Sequence, residues 1–179
     1  MKNLNIIWVT LVVFVISITI MFGQSENRKN KIIADSKTAK VEFIKTDALM
    51  RGLFEKAYGY VIFPNVGKGG LGIGGAAGNG VVFEHNKMVG MAKLSQVNIG
   101  FQAGGQAYRE VIFFESKKDL ERFKGSRFEF SAQVSAVAVT AGASANVKYA
   151  EGVMVFTMQK GGLMYEASLG GQKFKFKKL

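Results

Sequence analysis

The sequence predicts an α+β protein dominated by β-structure, in which an antiparallel sheet closes into a barrel or sandwich. An N-terminal helical segment and one short inserted helix complete the predicted fold. The helical segment is predicted because residues 25–57 are rich in helix formers and contain a single glycine. The sheet is predicted because β-branched and aromatic runs separated by turn signals follow, enough for about eight to ten strands mostly adjacent in sequence. The 22 glycines against one proline fit many turns and closely packed strands.

Residues 1–24 are predicted to be an export signal. Lys2 supplies a basic start, and residues 6–22 form an uncharged apolar run that small and polar residues follow. The alternative is a retained membrane anchor, because this run reaches the lower end of spanning length. Either interpretation places the folded part outside the cytoplasm, in the periplasm or cell envelope. The helical segment 25–57 and the β-rich part 58–179 then form one domain.

The helical segment is expected to break near residue 45. Thr46 or Asp47 can cap a second helix there, which would run to about Ala57. Lysines are frequent along the whole segment. They are interpreted either as a solvated face or as the basic side of an amphipathic helix that touches a membrane.

The first strands are predicted from their turn residues. One strand ends at Pro64, because proline cannot donate a ladder hydrogen bond. Residues 80–94 form two strands around a turn at His85 and Asn86, and the pair Asn79-Gly80 marks another turn before them.

The later elements follow in the same way. Residues 97–115 are predicted to form two strands, and "SKKDLERFKG" a short helix with Ser116 as its cap and Gly125 as its stop. A hairpin around residues 160–162 and a further strand complete the sheet.

Composition limits the function. The formal net charge of +11 favours anionic partners, namely lipid headgroups, nucleic acid or acidic glycans, and export argues against nucleic acid. The chain has no cysteine, and His85 is its single histidine. No pair of carboxylates has a setting suited to acid–base chemistry. The sequence therefore predicts no enzyme, no cofactor and no metal site.

The stretch "GKGGLGIGGAAGNG", residues 67–80, contains a match to the dinucleotide-binding fingerprint at Gly70, Gly72 and Gly75. A turn and a strand follow it instead of a helix, so no helix N-terminus is available to hold a pyrophosphate. The alternation places Gly70, Gly72 and Gly74 on one face of a strand. A face without side chains lets another element, or a lipid chain, approach the backbone closely.

The C-terminal segment "KFKFKKL" alternates in character. Lys173, Lys175 and Lys177 lie on one strand face, and Phe174 and Phe176 lie on the other. The pattern is typical of an edge strand guarded by lysines. It is equally typical of membrane contact, in which lysines meet phosphates and phenylalanines meet acyl chains.

Three stretches resemble the SYLF domain, a lipid-binding and actin-associated family. "AYGYVIFPNVGKGGLGIGGAAGNGVVF", 57–83, resembles its first signature, an apolar strand ending in proline and then a glycine-rich strand. Residues 97–136 resemble its next two strands and short helix, and residues 155–176 resemble its closing segment. The stretches occur in the family's order and span about residues 30–178.

The resemblance implies binding rather than catalysis. Eukaryotic members bind phosphoinositides, with an N-terminal amphipathic helix aiding membrane contact, and some bind actin filaments. Bacterial relatives are exported envelope proteins described as lipid-binding. Actin is not expected as a partner of an exported protein. The resemblance places the helical membrane contact between Lys29 and Lys45.

Together these features predict a non-catalytic protein of the bacterial cell envelope that binds anionic phospholipid. Lysines would attract phosphates, and apolar side chains would insert shallowly. The alternative is an envelope structural or adaptor protein that binds another protein or a glycan through the same basic surface. Lysines gathered beside exposed apolar residues favour the membrane, and dispersed lysines favour the adaptor. The candidate residues are Lys37, Lys40, Lys45, Lys173, Lys175 and Lys177, with Phe174 and Phe176 inserting.

Overall fold

The computed structural model describes residues 25–71, 73–99, 104–125, 128–130, 133–160 and 169–179. The predicted export signal, residues 1–24, lies outside these ranges. No helix within them is long and apolar enough to span a membrane. The elements in chain order are α1 (25–46), α2 (Met50–Lys56), β1 (Gly59–Leu71), β2 (Ile73–Glu84), β3 (Lys87–Ile99), β4 (Gly104–Phe114), α3 (Lys117–Lys124), β5 (Ala136–Ala138), β6 (Val153–Gln159) and β7 (Gln172–Lys178).

All seven described strands belong to one sheet, in the order β5-β6-β4-β1-β2-β3-β7. Neighbouring strands are antiparallel except β5 and β6, which run parallel. The predicted strand-rich α+β class is confirmed. The predicted closure into a barrel or sandwich is not supported, because β5 and β7 remain at opposite edges of a single open sheet.

The sheet curls strongly although it stays open. Gln172 on β7 contacts Glu110 on β4, with a distance of 3.1 Å between Nε2 and Oε2, although three strands separate the two in the sheet. The ring of Phe174 on β7 lies 5.8 Å from that of Phe63 on β1. The side on which these residues meet is the concave side, and the other is the convex side.

Each side of the sheet carries its own hydrophobic core. On the concave side, Leu120 and Phe123 of α3 pack on alternate residues of β1 and β4, together with the ring of Phe174. On the convex side, α1 and α2 bury Phe43 and Phe54 against the other residues of those strands. Burial on both faces explains why β1 and β4 are apolar at successive positions rather than alternating.

Three local predictions are confirmed. The helical segment breaks after residue 46, where the Asp47 carboxylate accepts a hydrogen bond from the Leu49 N–H at 3.0 Å. The cap predicted at Thr46 or Asp47 is wrong, because the N-cap of α2 is Leu49, without a side-chain cap hydrogen bond. Helix α3 has Ser116 as its N-cap and Gly125 as its C-cap. The turn between β2 and β3 contains His85 and Asn86, both with positive φ, 48° and 63°, as a tight hairpin of this type requires.

Two turn predictions are wrong. Strand β1 continues through Pro64, where the ladder register shifts on both sides and a bulge absorbs the missing donor. Asn79 and Gly80 lie inside β2, not in a turn. A Cβ at Gly80 would lie 2.7 Å from the Phe63 ring, so this glycine serves close packing.

The hairpin predicted around residues 160–162 continues into residues 161–168, which lie outside the described residues, so it stays a prediction. Strand β6, which precedes it, pairs with β4 and β5, whereas β7 pairs with β3. The strand face predicted for Gly70, Gly72 and Gly74 is wrong. The glycine-rich stretch is split between β1 and β2, with Gly70 directly opposite Gly74. Gly72 lies outside the described residues, between the two strands. The three glycines therefore do not line one strand.

Candidate functional site: the basic convex side

The convex side of the β7 edge carries a row of lysines. Phe174 is buried on the concave side, so the alternation of the strand turns Lys173, Lys175 and Lys177 to the convex side, where they are exposed. On the neighbouring strand β3, Lys93 lies directly opposite Lys175 and is also exposed. These four residues form the lysine ladder. Among the described residues, no ion pair engages a ladder lysine.

A groove between the start of α1 and the end of β7 continues the basic surface. Its volume is about 300 Å³. Cationic and apolar side chains line it together, and its first residue, Ser25, lies three positions after the apolar run 6–22. Leu179 in this groove is 52% exposed. The basic groove is lined by Arg28, Lys29, Lys177 and Lys178, by Ile32, Met91 and Leu179, and by Ser25 and Glu26.

Two of the three predicted helix lysines face solvent. Lys37 and Lys45 are exposed and lie one turn before and after Val41, which is 64% exposed. Helix α1 packs on the convex side, so these lysines and the ladder lie on the same side of the sheet.

Lys40 turns inward instead. Its Nζ donates to Tyr60 Oη at 2.9 Å and to Asn86 Oδ1 at 3.0 Å, and it lies 4.8 Å from the centroid of the Phe54 ring. Burial lowers the pKa of Lys40, against the opposing effect of Glu55. The ammonium of Lys40 thus joins α1 to the first hairpin, and its contact with phosphate stays a prediction.

The structure also places the two phenylalanines that were predicted to insert into a membrane. Phe174 is 2% exposed and packs against Phe63 and Phe123, so it belongs to the core. Phe176 is half-buried and packs over Gly90, where any Cβ would overlap its ring. The exposed apolar residues on the convex side are others, above all Val97 on β3 at 73% exposure.

Sequence reasoning missed Lys93 and Val97, although a local signal for both exists. Strand β3 alternates between buried Ala92, Leu94 and Gln96 and exposed residues between them. This alternation could have placed Lys93 and Val97 on one exposed face. Their position beside the C-terminal lysines depends on the pairing of β3 with β7, which is not a local property.

The concave interior contains one carboxyl group that has no part in the basic surface. Glu110 on β4 is fully buried and accepts its hydrogen bond from Gln172, and burial raises the pKa of Glu110 to about 7. Within the described ranges, no group of three or more histidine and carboxylate side chains is arranged to hold a metal ion.

Comparison with known proteins supports a binding domain. Residues 95–178 match the family Ysc84, described as Las17-binding protein actin regulator. The chain is 29% identical over 140 residues to "Beta cell expansion factor A" from Aeromonas veronii, which covers 76% of this chain and 52% of that protein. The chain thus spans about half the length of this relative. The resemblance inferred from the motifs is confirmed by this match of residues 95–178 to the Ysc84 (SYLF) family.

Proposed function

We propose that this protein binds anionic phospholipid membranes through the basic convex side, as an exported protein of the bacterial cell envelope. The observation that carries the proposal is the position of Lys93 directly opposite Lys175, flanked by Lys173 and Lys177. Like charges in directly opposed cross-strand positions are destabilising. An anionic surface next to the ladder offsets the repulsion between these lysines. The free energy of that repulsion then contributes to binding.

The basic groove extends the same contact. Arg28, Lys29 and Lys178 attract lipid phosphates, while Ile32 and Leu179 offer apolar surface beside them. Each cation near an anionic membrane contributes about 1 kcal/mol, so about four to six cations give useful affinity. This attraction is screened by salt. Should the apolar run 6–22 be retained as an anchor, it would hold the groove against the membrane.

The apolar part of the contact falls to residues other than the predicted phenylalanines. Val97 extends the exposed face of β3 beyond the ladder, and Val41 lies between Lys37 and Lys45 on α1. Lysine stems beside these valines can lie along the acyl boundary while their ammonium groups stay at the phosphates. Phe176 is half-buried and remains a candidate.

Co-sedimentation with vesicles tests the proposal. Residues 25–179, which contain all described elements, are mixed with phosphatidylglycerol or phosphatidylcholine vesicles at low and high salt. Binding to the anionic vesicles that salt weakens is expected. Changing Lys173, Lys175 and Lys177 to glutamate together should weaken it at least about tenfold, since each lysine contributes about 1 kcal/mol. Glu at 175 would face Lys93, so the fold should tolerate the change.

The matched control makes the same change of net charge elsewhere. Lys117, Lys118 and Lys148 are exposed and lie outside the ladder and the basic groove. Their change to glutamate should leave vesicle binding within about twofold if the ladder is the contact. An equal loss in both variants would reduce the effect to net charge and contradict a defined surface. Absence of binding to either vesicle would favour the adaptor function instead.

A further inference from the structure

A second groove lies at the end of β7, where Phe176 lines it from the concave side. Its volume is about 510 Å³, within the range of small-molecule sites. Both charge signs meet an apolar surface in it. This mixed-charge groove is lined by Glu84, Val89, Glu121, Lys124, Gly125, Phe176 and Lys178.

One wall of the groove carries an excess negative charge. Lys124 Nζ donates to Glu84 Oε2 at 2.8 Å and to Glu121 Oε1 at 2.9 Å, so two carboxylates share one ammonium. Tyr58 Oη donates to the other oxygen of Glu84 at 2.8 Å. The hydrogen bonds from Lys124 and Tyr58 lower the pKa of Glu84, which keeps it ionised. Each oxygen of Glu84 thus accepts a hydrogen bond, and the negative charge that Lys124 leaves unbalanced lies at Glu121.

The other side of the groove is cationic, and the surface between is apolar. Lys178 is exposed at the end of β7 and makes no ion pair with any described acid. Val89 and the Phe176 ring line the groove with it. The ring is held in place because Gly90 leaves room for it. A cation next to an aromatic ring and a carboxylate is favoured by both.

The geometry points to a binding site for a zwitterionic phosphodiester, with its ammonium group at Glu121 and the Phe176 ring and its phosphate at Lys178. A simple anion would be repelled by the Glu121 carboxylate. A simple cation would be repelled by the ammonium groups of Lys124 and Lys178. A group that carries both charges satisfies both ends. Such a group occurs in zwitterionic phospholipid headgroups and in free glycerophosphodiesters. The site shares Lys178 with the basic groove, but Glu121 and the Phe176 ring belong neither to that groove nor to the ladder. The inference therefore does not rest on the proposed function.

Titration of the full chain, as recovered from expressing cells, with glycerophosphocholine tests this inference by calorimetry and by amide chemical shifts. Saturable binding is expected, with shifts at Val89 and Gly125. Choline alone and glycerol 3-phosphate alone should bind at least about tenfold more weakly, because each meets only one end of the groove. Equal affinity for all three compounds, or no shift at these amides, overturns the inference.

Glu121→Gln removes the surplus charge with little change of shape, at a side chain that is 52% exposed. It should weaken glycerophosphocholine binding at least about tenfold. Glu55→Gln on α2, which is exposed and outside the groove, is the matched control and should leave the affinity unchanged. If Glu121→Gln has no effect, or if both variants lose affinity equally, the assignment of the ammonium group to Glu121 fails.

Vesicles separate the two sources of the ligand and the two proposals. Binding to phosphatidylcholine vesicles that Glu121→Gln reduces identifies the lipid headgroup. Glycerophosphocholine binding without any such vesicle effect identifies the soluble phosphodiester. Glu121→Gln should not weaken binding to phosphatidylglycerol vesicles, because Glu121 repels them if it acts at all. If the changes of Lys173, Lys175 and Lys177 leave vesicle binding unaffected, the proposed function is contradicted and this inference is not.

Discussion

The buried Glu110 should make the stability of the fold depend on pH near neutrality. Its carboxyl group is fully buried on the concave face of β4. Gln172 donates to Oε2 at 3.1 Å, and Oε1 has no partner among the described residues. Burial raises the pKa of Glu110 from 4.5 to about 7, because the ionised form loses its hydration.

The magnitude follows from this shift. The increase of the pKa from 4.5 to about 7 corresponds to about 3 kcal/mol, since a shift of one pKa unit is worth about 1.4 kcal/mol. The folded state binds the proton more tightly than the unfolded state. The contribution is therefore fully present below pH 4.5 and is lost as the pH rises through about 7. Typical stabilities are about 5–15 kcal/mol, so the effect is measurable.

Urea unfolding followed by circular dichroism, repeated from pH 4.5 to pH 8.5, measures this contribution of Glu110 to the free energy of unfolding. Glu110→Gln keeps the shape and cannot ionise. We expect the free energy of unfolding of the wild type, relative to this variant, to fall by about 3 kcal/mol over the range. Other titrating groups cancel in the comparison. Glu129→Gln, at an exposed site, is the control and should retain the wild-type pH profile. A difference between wild type and Glu110→Gln that stays constant with pH would refute the reasoning.

Three further predictions concern residues that the fold has assigned to structure. Lys40→Met should lower the free energy of unfolding by about 1–3 kcal/mol in urea, because Tyr60 Oη loses its donor and Asn86 Oδ1 keeps only the one from Tyr60, yet leave vesicle binding unchanged. A loss of vesicle binding at unchanged stability would return Lys40 to the surface site. Asp47→Ala should cost about 1–3 kcal/mol in thermal or urea unfolding, since the Ser144 N–H, 2.8 Å from Asp47 Oδ2, loses its buried acceptor. The same stability in both proteins would contradict this pairing. Gly80→Ala should destabilise by about 1–3 kcal/mol through overlap with Phe63 and the Ile62 carbonyl, whereas Gly67→Ala, with nothing within 4 Å, should be tolerated. Similar urea midpoints for both alanine variants would argue against the close packing.

Local chemistry determined the elements whose boundaries the sequence predicted well. Helix α3 is bounded by Ser116 and Gly125, whose capping acts within one turn. The turn at His85 and Asn86 and the break at Asp47 depend in the same way on residues close in sequence. The family resemblance also follows from motifs alone, because their order along the chain is visible without any pairing.

Tertiary structure decided which residues form the candidate site. The inward stripe of α1 draws Lys40 to Tyr60 and leaves Lys37 in solvent, although both are lysines on one helix. Phe174 enters the core because the curled sheet brings β7 over β1. These outcomes depend on which surfaces meet after folding. Hydrophobic burial is non-directional, so it stabilises any contact between two apolar faces.

The sequence by itself determined the strand-rich class, the basic charge, the caps of α3, the turn at His85 and Asn86, and the family resemblance. Only the tertiary structure placed Lys93 opposite Lys175, separated β6 from β7 and buried Glu110 beside Gln172. The physical reason is the sequence separation over which the stabilising contacts form. Caps and turns are set by hydrogen bonds between residues a few positions apart. Strand order and burial depend on contacts between distant segments, whose free energy is shared over the whole core.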